Sequence, residues 1–184
     1  ESCDWGGSES YVDYEKMYLS RYKLLRKAYE RADLKNDPDY MVFLKKEKDW
    51  LLDYCLFMAI KNAQNGKCWI DWPEELKDRH SKAVKEAEKE LAEEVGFYSF
   101  QQYCFTTQWN KLKEYANEKG IQIIGDVPIY VALDSSDAWA NPEMLQFDED
   151  YNPKAVAGCP PDAFSESGQL WGNPLYDWKK LKKD

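Results

Sequence analysis

Residues 121–131, "IQIIGDVPIYV", decide the predicted fold class because they follow a long helical segment that ends in a glycine. Apolar and β-branched residues dominate 121–124, which is typical of a buried parallel strand in an α/β unit. Gly125 and Pro128 fit poorly inside a central strand, so we assign the strand to 121–124 alone. A helix, a glycine cap and a strand in this order predict an α/β fold.

Asp126 follows this predicted strand directly. Sheets and barrels of the α/β type collect their ligand-binding groups at that end of their strands. A carboxylate between Gly125 and Val127 is costly to bury unless a partner or a ligand contacts it. Two roles are therefore open for Asp126, a contact to a ligand or the cap of a turn.

The chain before this strand is predicted to be mostly helical, because apolar side chains recur at three- and four-residue steps. The predicted helices lie within residues 11–32, 37–66, 81–96 and 98–120, and a short turn covers 71–76. Trp50, Leu91 and Trp109 are predicted core residues. The tyrosines of the first two helices would suit a ligand surface, but aromatic stripes at helical spacing are typical of a core.

Little regular structure is predicted after residue 131. Asp134 or Ser135 caps a short helix near Ala138, and "DEDYNP" (148–153) is a turn that joins two short strands. The stretch "CPPDAFSESGQLWGNPLYDW" (159–178) fits neither period, so we predict a long loop there. Aromatic side chains in a loop either pack it against a core or offer flat faces to a ligand.

The composition excludes several classes of protein. A formal net charge of −9 argues against a nucleic-acid partner, which would need a basic surface. The sequence shows no apolar run of membrane-spanning length and no signal peptide, so no membrane partner is expected. Five widely spaced cysteines without a CxxC pair predict reduced thiols in a cytoplasmic protein. The single histidine, His80, stands among charged residues and is predicted to be solvated.

Three motifs carry a resemblance to a known family. They are "FQQYCFTTQWNKLKEYANEKGIQIIGD" (100–126), "GDVPIYVALDSSDAWANPE" (125–143) and "VAGCPPDAFSESGQLWGNPLYDW" (156–178). In this order they resemble the amylomaltases, bacterial 4-α-glucanotransferases related to plant disproportionating enzyme. The helices of 12–29 and 47–79 resemble the helical insertion of the same family, so the resemblance covers nearly the whole chain.

The resemblance implies part of a (β/α)8 barrel with helical insertions. The chain would hold the helical insertion in residues 1–96, and a barrel helix, one or two barrel strands and the active-site loop in 97–184. The implied activity is transfer of α-1,4-glucan chains between malto-oligosaccharides by a retaining mechanism, which uses two carboxylic acid side chains. The family implies no metal and no organic cofactor.

The resemblance also implies a role for the Pro-Pro-Asp loop, which overhangs the active-site cleft in the family. Sugar rings have apolar C–H faces that stack on aromatic rings, and hydroxyl groups that need polar partners. The substrate-binding residues expected in this chain are Asp126, Asp162, Phe164, Trp171, Asn173 and Pro174. Trp178 is expected to anchor the loop. Ala163 is a departure, because some members carry an aromatic residue at this position.

No residue of this chain is expected to be catalytic. The Arg-Ile-Asp-His-Phe motif that carries the family's nucleophile has no match here, and neither do the motifs of the other two catalytic carboxylates. We therefore expect a middle fragment that is inactive alone and that self-associates through its exposed barrel strand. The alternatives are a non-catalytic glucan-binding module and a helical scaffold without a ligand.

Overall fold

The structure, a computed structural model, describes residues 3–182. Within this range the chain is predominantly helical and carries one two-stranded sheet. The helices are α1 Tyr14–Arg31, α2 Pro38–Lys46, α3 Leu51–Ala63, α4 Glu74–Lys77, α5 Lys82–Glu90, α6 Ala92–Glu118, α7 Ser136–Ala140 and α8 Trp178–Leu181. The strands are β1 Val156–Cys159 and β2 Gln169–Pro174. None of the helices in this range is long and apolar enough to cross a membrane.

Side-chain caps fix several helix starts. The Asp37 carboxylate accepts hydrogen bonds from the backbone N–H groups of Asp39 and Tyr40, and Pro38 begins α2 as predicted. The Ser135 hydroxyl accepts from Ala138 N–H at 3.2 Å, which confirms a capped short helix at α7.

Two predicted helices are broken differently in the structure. The helix expected over 37–66 is two helices, α2 and α3, separated by a turn that the Trp50 indole closes by donating to Glu47 at 2.8 Å. The second break falls at Leu91, and α6 passes through Gly96 without interruption. The hydroxyl of Tyr29 on α1 lies where a Cβ of residue 96 would be, so a larger residue there would require this tyrosine to shift. The predicted boundary between 1–96 and 97–184 falls inside α6, and the division of the chain into these two parts stays a prediction. Residues 1, 2, 183 and 184 lie outside the described range.

Two clusters of buried side chains form the core, and α3 contributes to both. One cluster contains Leu56, Phe57, Ile60, Trp69, Trp72, Val84, Ala138, Trp139 and Leu145. The other contains Tyr40, Phe43, Leu51, Cys55, Ala59 and Tyr98. Each large apolar side chain buried in this way contributes about 1.5–3 kcal/mol. The first cluster therefore ties the helical part to the segment that precedes the sheet.

The predicted core was wrong at two tryptophans. Trp50 is 42% exposed and Trp109 is 40% exposed, whereas Leu91 packs at the edge of both clusters. Trp50 lies in the turn between α2 and α3, so its indole closes that turn instead of entering the core. Trp109 lies in the second half of α6, where neighbouring apolar residues such as Phe105 and Leu112 are also exposed.

The strand predicted over 121–124 is not formed in the described structure. Residues 121–129 are exposed, and Ile124 is 93% exposed. Ile121 N–H donates to Ala116 at the end of α6, but no described strand pairs with 121–131. A strand needs a hydrogen-bonded neighbour, and strand-forming residues alone do not supply one.

The loop predicted over 159–178 is instead largely a hairpin. β1 and β2 pair antiparallel, with Gly158 opposite Leu170 and Cys159 opposite Gln169. Gly158 permits this pairing because a Cβ there would lie 2.5 Å from Gln169 O. This antiparallel pairing differs from the parallel pairing of barrel strands. Residues 160–168 at the hairpin tip and 175–177 after β2 keep the loop character that was predicted. A bridge between Phe147 and Pro153 confirms the turn at 148–153.

Candidate functional site

Four aromatic side chains form a row that begins on β2, which we call the aromatic row: Trp171, Tyr130, Tyr176 and Trp178. The Tyr130 ring centroid lies 6.2 Å from that of Trp171 and 6.2 Å from that of Tyr176, and the two tyrosine rings are nearly parallel at 14°. Tyr176 and Trp178 lie 5.4 Å apart. Both tryptophans at the ends of the row are exposed. The row can offer ring faces to a flat, partly apolar ligand.

Hydrogen bonds of Asn173 and Gln146 hold the segments that carry the row. Asn173 Nδ2 donates to Val131 O at 2.9 Å, which joins β2 to the residue after Tyr130. Pro174 is fully buried. Gln146 Nε2 donates to Tyr176 O at 2.9 Å, so the backbone of Tyr176 is fixed as well. Asn173 and Pro174 therefore anchor the hairpin in this structure.

The tip of the hairpin is a closed turn that presents Phe164. Asp162 Oδ1 accepts from the N–H groups of Phe164 at 2.9 Å and Ser165 at 2.8 Å. The Ser165 hydroxyl donates to Gly168 O at 2.7 Å, and Gly168 has a φ of +73° that favours glycine. The Phe164 ring is 96% exposed. The turn thus holds an apolar ring in solvent, where burial does not explain its presence.

Asp126 lies on the exposed segment before the row. Its Oδ1 accepts from the N–H of Val127 at 2.9 Å, so one oxygen makes a local turn contact. Both roles considered for Asp126 fit this geometry, because its other oxygen carries no hydrogen bond to the described residues.

The structure brings together only some of the predicted site residues. Trp171, Asn173 and Pro174 share β2. The Trp171 ring lies near Tyr130, and Asn173 donates to Val131 O. Asp162 and Phe164 are at the hairpin tip, and no ring contact joins Phe164 to the row within residues 3–182.

Tyr130 and Tyr176 were not predicted as site residues. Each is an aromatic residue two positions after a proline and outside the named helices and strands, although Tyr176 forms an isolated bridge with Leu145. That local pattern is the only signal of them in the sequence. Trp178 packs against Tyr176 at the end of the row but stays exposed, so it anchors the loop only in part.

Three other features of the described residues lie apart from the row and the hairpin. Within 3–182 there is no group of His, Cys, Asp and Glu side chains that could hold a metal ion. Burial raises the pKa of the Cys55 thiol to about 12, so this cysteine is not a ready nucleophile. A hollow of about 780 Å³ lies along α1 and includes no residue of the row or of the hairpin. The aromatic row and the hairpin tip are therefore the candidate site in the described part of the chain.

Comparison with known proteins decides the family. The sequence model for 4-alpha-glucanotransferase matches residues 3–184. The chain belongs to the 4-alpha-glucanotransferase family. It is 46% identical over 184 residues to a 4-alpha-glucanotransferase of Clostridium butyricum, with 100% of this chain and 38% of that protein covered. It is 45% identical to one of Thermus thermophilus, over 98% of this chain and 37% of that protein.

A solved structure supports the same assignment. The amylomaltase from Streptococcus agalactiae, in complex with acarbose, matches with a TM-score of 0.89 and 40% identity. The match covers 97% of this chain and 37% of the amylomaltase chain. The predicted family and the predicted fold class, a mostly helical part of a barrel glucanotransferase, are confirmed. The chain spans little more than a third of the length of these family members.

Proposed function

We propose that this chain forms a glucan-holding part of a 4-alpha-glucanotransferase that acts on α-1,4-glucans and malto-oligosaccharides. The observation that carries the proposal is the aromatic row with the exposed Phe164 tip, found in a chain that matches this family over residues 3–184. The acarbose complex of the amylomaltase from Streptococcus agalactiae supports a carbohydrate ligand.

Each proposed contact follows from the chemistry of a glucose unit. Trp171 and Phe164 stack on the apolar faces of sugar rings. Asp162 Oδ2 and the Asp126 carboxylate accept hydrogen bonds from sugar hydroxyls. Asn173 and Pro174 shape the hairpin beneath these contacts. The hydrogen bond from the Asn173 side chain to Val131 O and the burial of Pro174 support this role.

Chain transfer in the parent activity is proposed to follow a retaining mechanism. One carboxylate attacks the anomeric carbon and forms a covalent glycosyl-enzyme as the glycosidic bond breaks, while a carboxylic acid protonates the leaving oxygen. The same acid, now a carboxylate, then takes the proton of the acceptor hydroxyl, whose oxygen displaces the first carboxylate from the sugar. The carboxylate motifs of the family have no match in these 184 residues. The isolated 184-residue polypeptide should therefore bind malto-oligosaccharides without transferring glucan chains between them. New chain lengths formed from maltotriose by the purified polypeptide would contradict this.

Binding is tested with two matched tryptophan variants. Trp171 and Trp5 are both 48% exposed, and only Trp171 lies in the row. Titration calorimetry with maltoheptaose should show weaker binding for Trp171→Ala, by about fivefold, and unchanged binding for Trp5→Ala. Equal affinities of the two variants for maltoheptaose would show that the row does not contact the glucan. No binding by the unmodified chain would favour a helical scaffold without a ligand.

We also propose self-association through residues 121–129. Val127 and Ile129 are exposed together with Ile124, so the segment presents apolar side chains and unpaired backbone groups. Sedimentation velocity should show a concentration-dependent dimer that Ile124→Lys abolishes. A monomer at all concentrations would contradict the proposal.

A cytoplasmic location is proposed from the thiols. All five cysteines are unpaired, and Cys55 is buried. Such thiols are typical of a reducing compartment. Fractionation of the source cells, with the protein in the extracellular fraction, would overturn this.

A further inference from the structure

Residues 131–134 form a short segment, here called the connector, that is held from both sides. From the hairpin, Asn173 Nδ2 donates to Val131 O at 2.9 Å. From the helical core, the buried Trp69 indole donates to Leu133 O at 2.7 Å. Lys61 on α3 forms an ion pair with Asp134. The helical core and the hairpin thus both contact the connector.

The residues before the connector lack comparable contacts. Apart from the N–H of Ile121 and the local contact between Val127 and Asp126, residues 121–130 make no hydrogen bond within the described chain. Tyr130 is the residue at this change from unheld to held backbone. Its ring lies between Trp171 and Tyr176 in the row. The contacts of the connector therefore restrain the backbone that directly follows Tyr130.

We infer that Lys61 and Trp69, which belong to the helical part, are positioning residues for the aromatic row and act through Tyr130. Trp69 holds the connector backbone, and Lys61 fixes the Asp134 side chain against α3. Lys61 is held in turn by donating to Lys67 O at 3.2 Å. The inference rests on the proposed function only for its effect on glucan affinity, since the position of Tyr130 can be measured without a ligand.

The ligand-free test reads the Tyr130 ring directly. Ring protons near other aromatic rings have displaced NMR shifts, so a Tyr130 ring that leaves the row moves toward shifts typical of unstructured tyrosine. Lys61→Met and Asp134→Asn remove the ion pair from either end and should both displace the Tyr130 signals. Lys77→Met is the matched control, because Lys77 is a largely buried lysine paired with Glu74 away from the connector. Unchanged Tyr130 signals in both Lys61→Met and Asp134→Asn would overturn the inference.

The glucan test separates a positioning role from general destabilisation. Lys61→Met should weaken maltoheptaose binding by about threefold, a size that suits a partly exposed ion pair. Lys61→Arg keeps the positive charge and should bind maltoheptaose as the unmodified chain does. In a Tyr130→Ala background the Lys61→Met change should have no further effect, because its route is gone. The same threefold loss in that background would overturn the inference. Failure of the unmodified chain to bind would reject the proposed function alone, and the Tyr130 signals would still decide the positioning role.

Discussion

The exposed ring of Phe164 allows ligand binding to be separated from stability. Because the ring is 96% exposed, Phe164→Ala removes almost no surface that folding had buried. The free energy of unfolding should therefore change by less than about 0.5 kcal/mol. A stacked ring contributes about 1 kcal/mol to a sugar contact, so the dissociation constant for maltoheptaose should rise about fivefold. Pro160 and Pro161 restrict the tip before binding, so little ordering entropy offsets this contact.

The assay combines titration calorimetry with a thermal melt of the same samples. Phe105→Ala is the control, since Phe105 is also an exposed phenylalanine but lies on α6. The control should bind maltoheptaose as the unmodified chain does. A lower melting temperature for Phe164→Ala with unchanged affinity would show that Phe164 packs against the protein in solution, and the ligand role of the tip would be refuted.

Three further predictions concern stability. Gly158→Ala places a Cβ 2.5 Å from Gln169 O and should cost about 1–3 kcal/mol in a chemical denaturation series, whereas Gly7→Ala, with open space around it, should be neutral. Leu56→Ala empties a fully buried position and should lower the free energy of unfolding by about 2–5 kcal/mol in the same series. Burial raises the pKa of Tyr98 to about 12, above the value near 10 of an unfolded tyrosine, so stability should fall as pH rises from 10 to 12. In Tyr98→Phe that part of the pH dependence should disappear from melts recorded across this range.

The helices could be predicted because their signals are local. Asp37 and Pro38 mark the start of α2 within three residues, and apolar spacing marks the faces of α3 and α6. Their breaks were harder to predict, because they depend on packing between distant residues. Gly96 reads as a helix end in sequence, but in the structure it makes room inside α6 for Tyr29.

The candidate site could be predicted in composition but not in shape. Trp171 and Phe164 stood out as aromatic residues in a turn-rich stretch, and both are exposed as a ligand surface requires. The hairpin beneath them was missed, because its strands contain Gly158 and Gly172, which weaken any strand pattern. Tyr130 joins the row only through folding, since it lies about forty residues before Trp171 in the chain.

The segment 121–129 shows why a strand pattern is an incomplete prediction. Ile123 and Ile124 are adjacent, so their side chains would point to opposite faces of a strand, and both are exposed. A strand that is apolar on both faces is stable only when both faces are covered and both edges are paired. The described residues provide neither cover nor partner, so these side chains stay in solvent. Whatever covers this segment must bring backbone partners and two apolar surfaces at once. A charge at Ile124 should disrupt one of those surfaces while leaving the helical core intact, because Ile124 belongs to neither buried cluster.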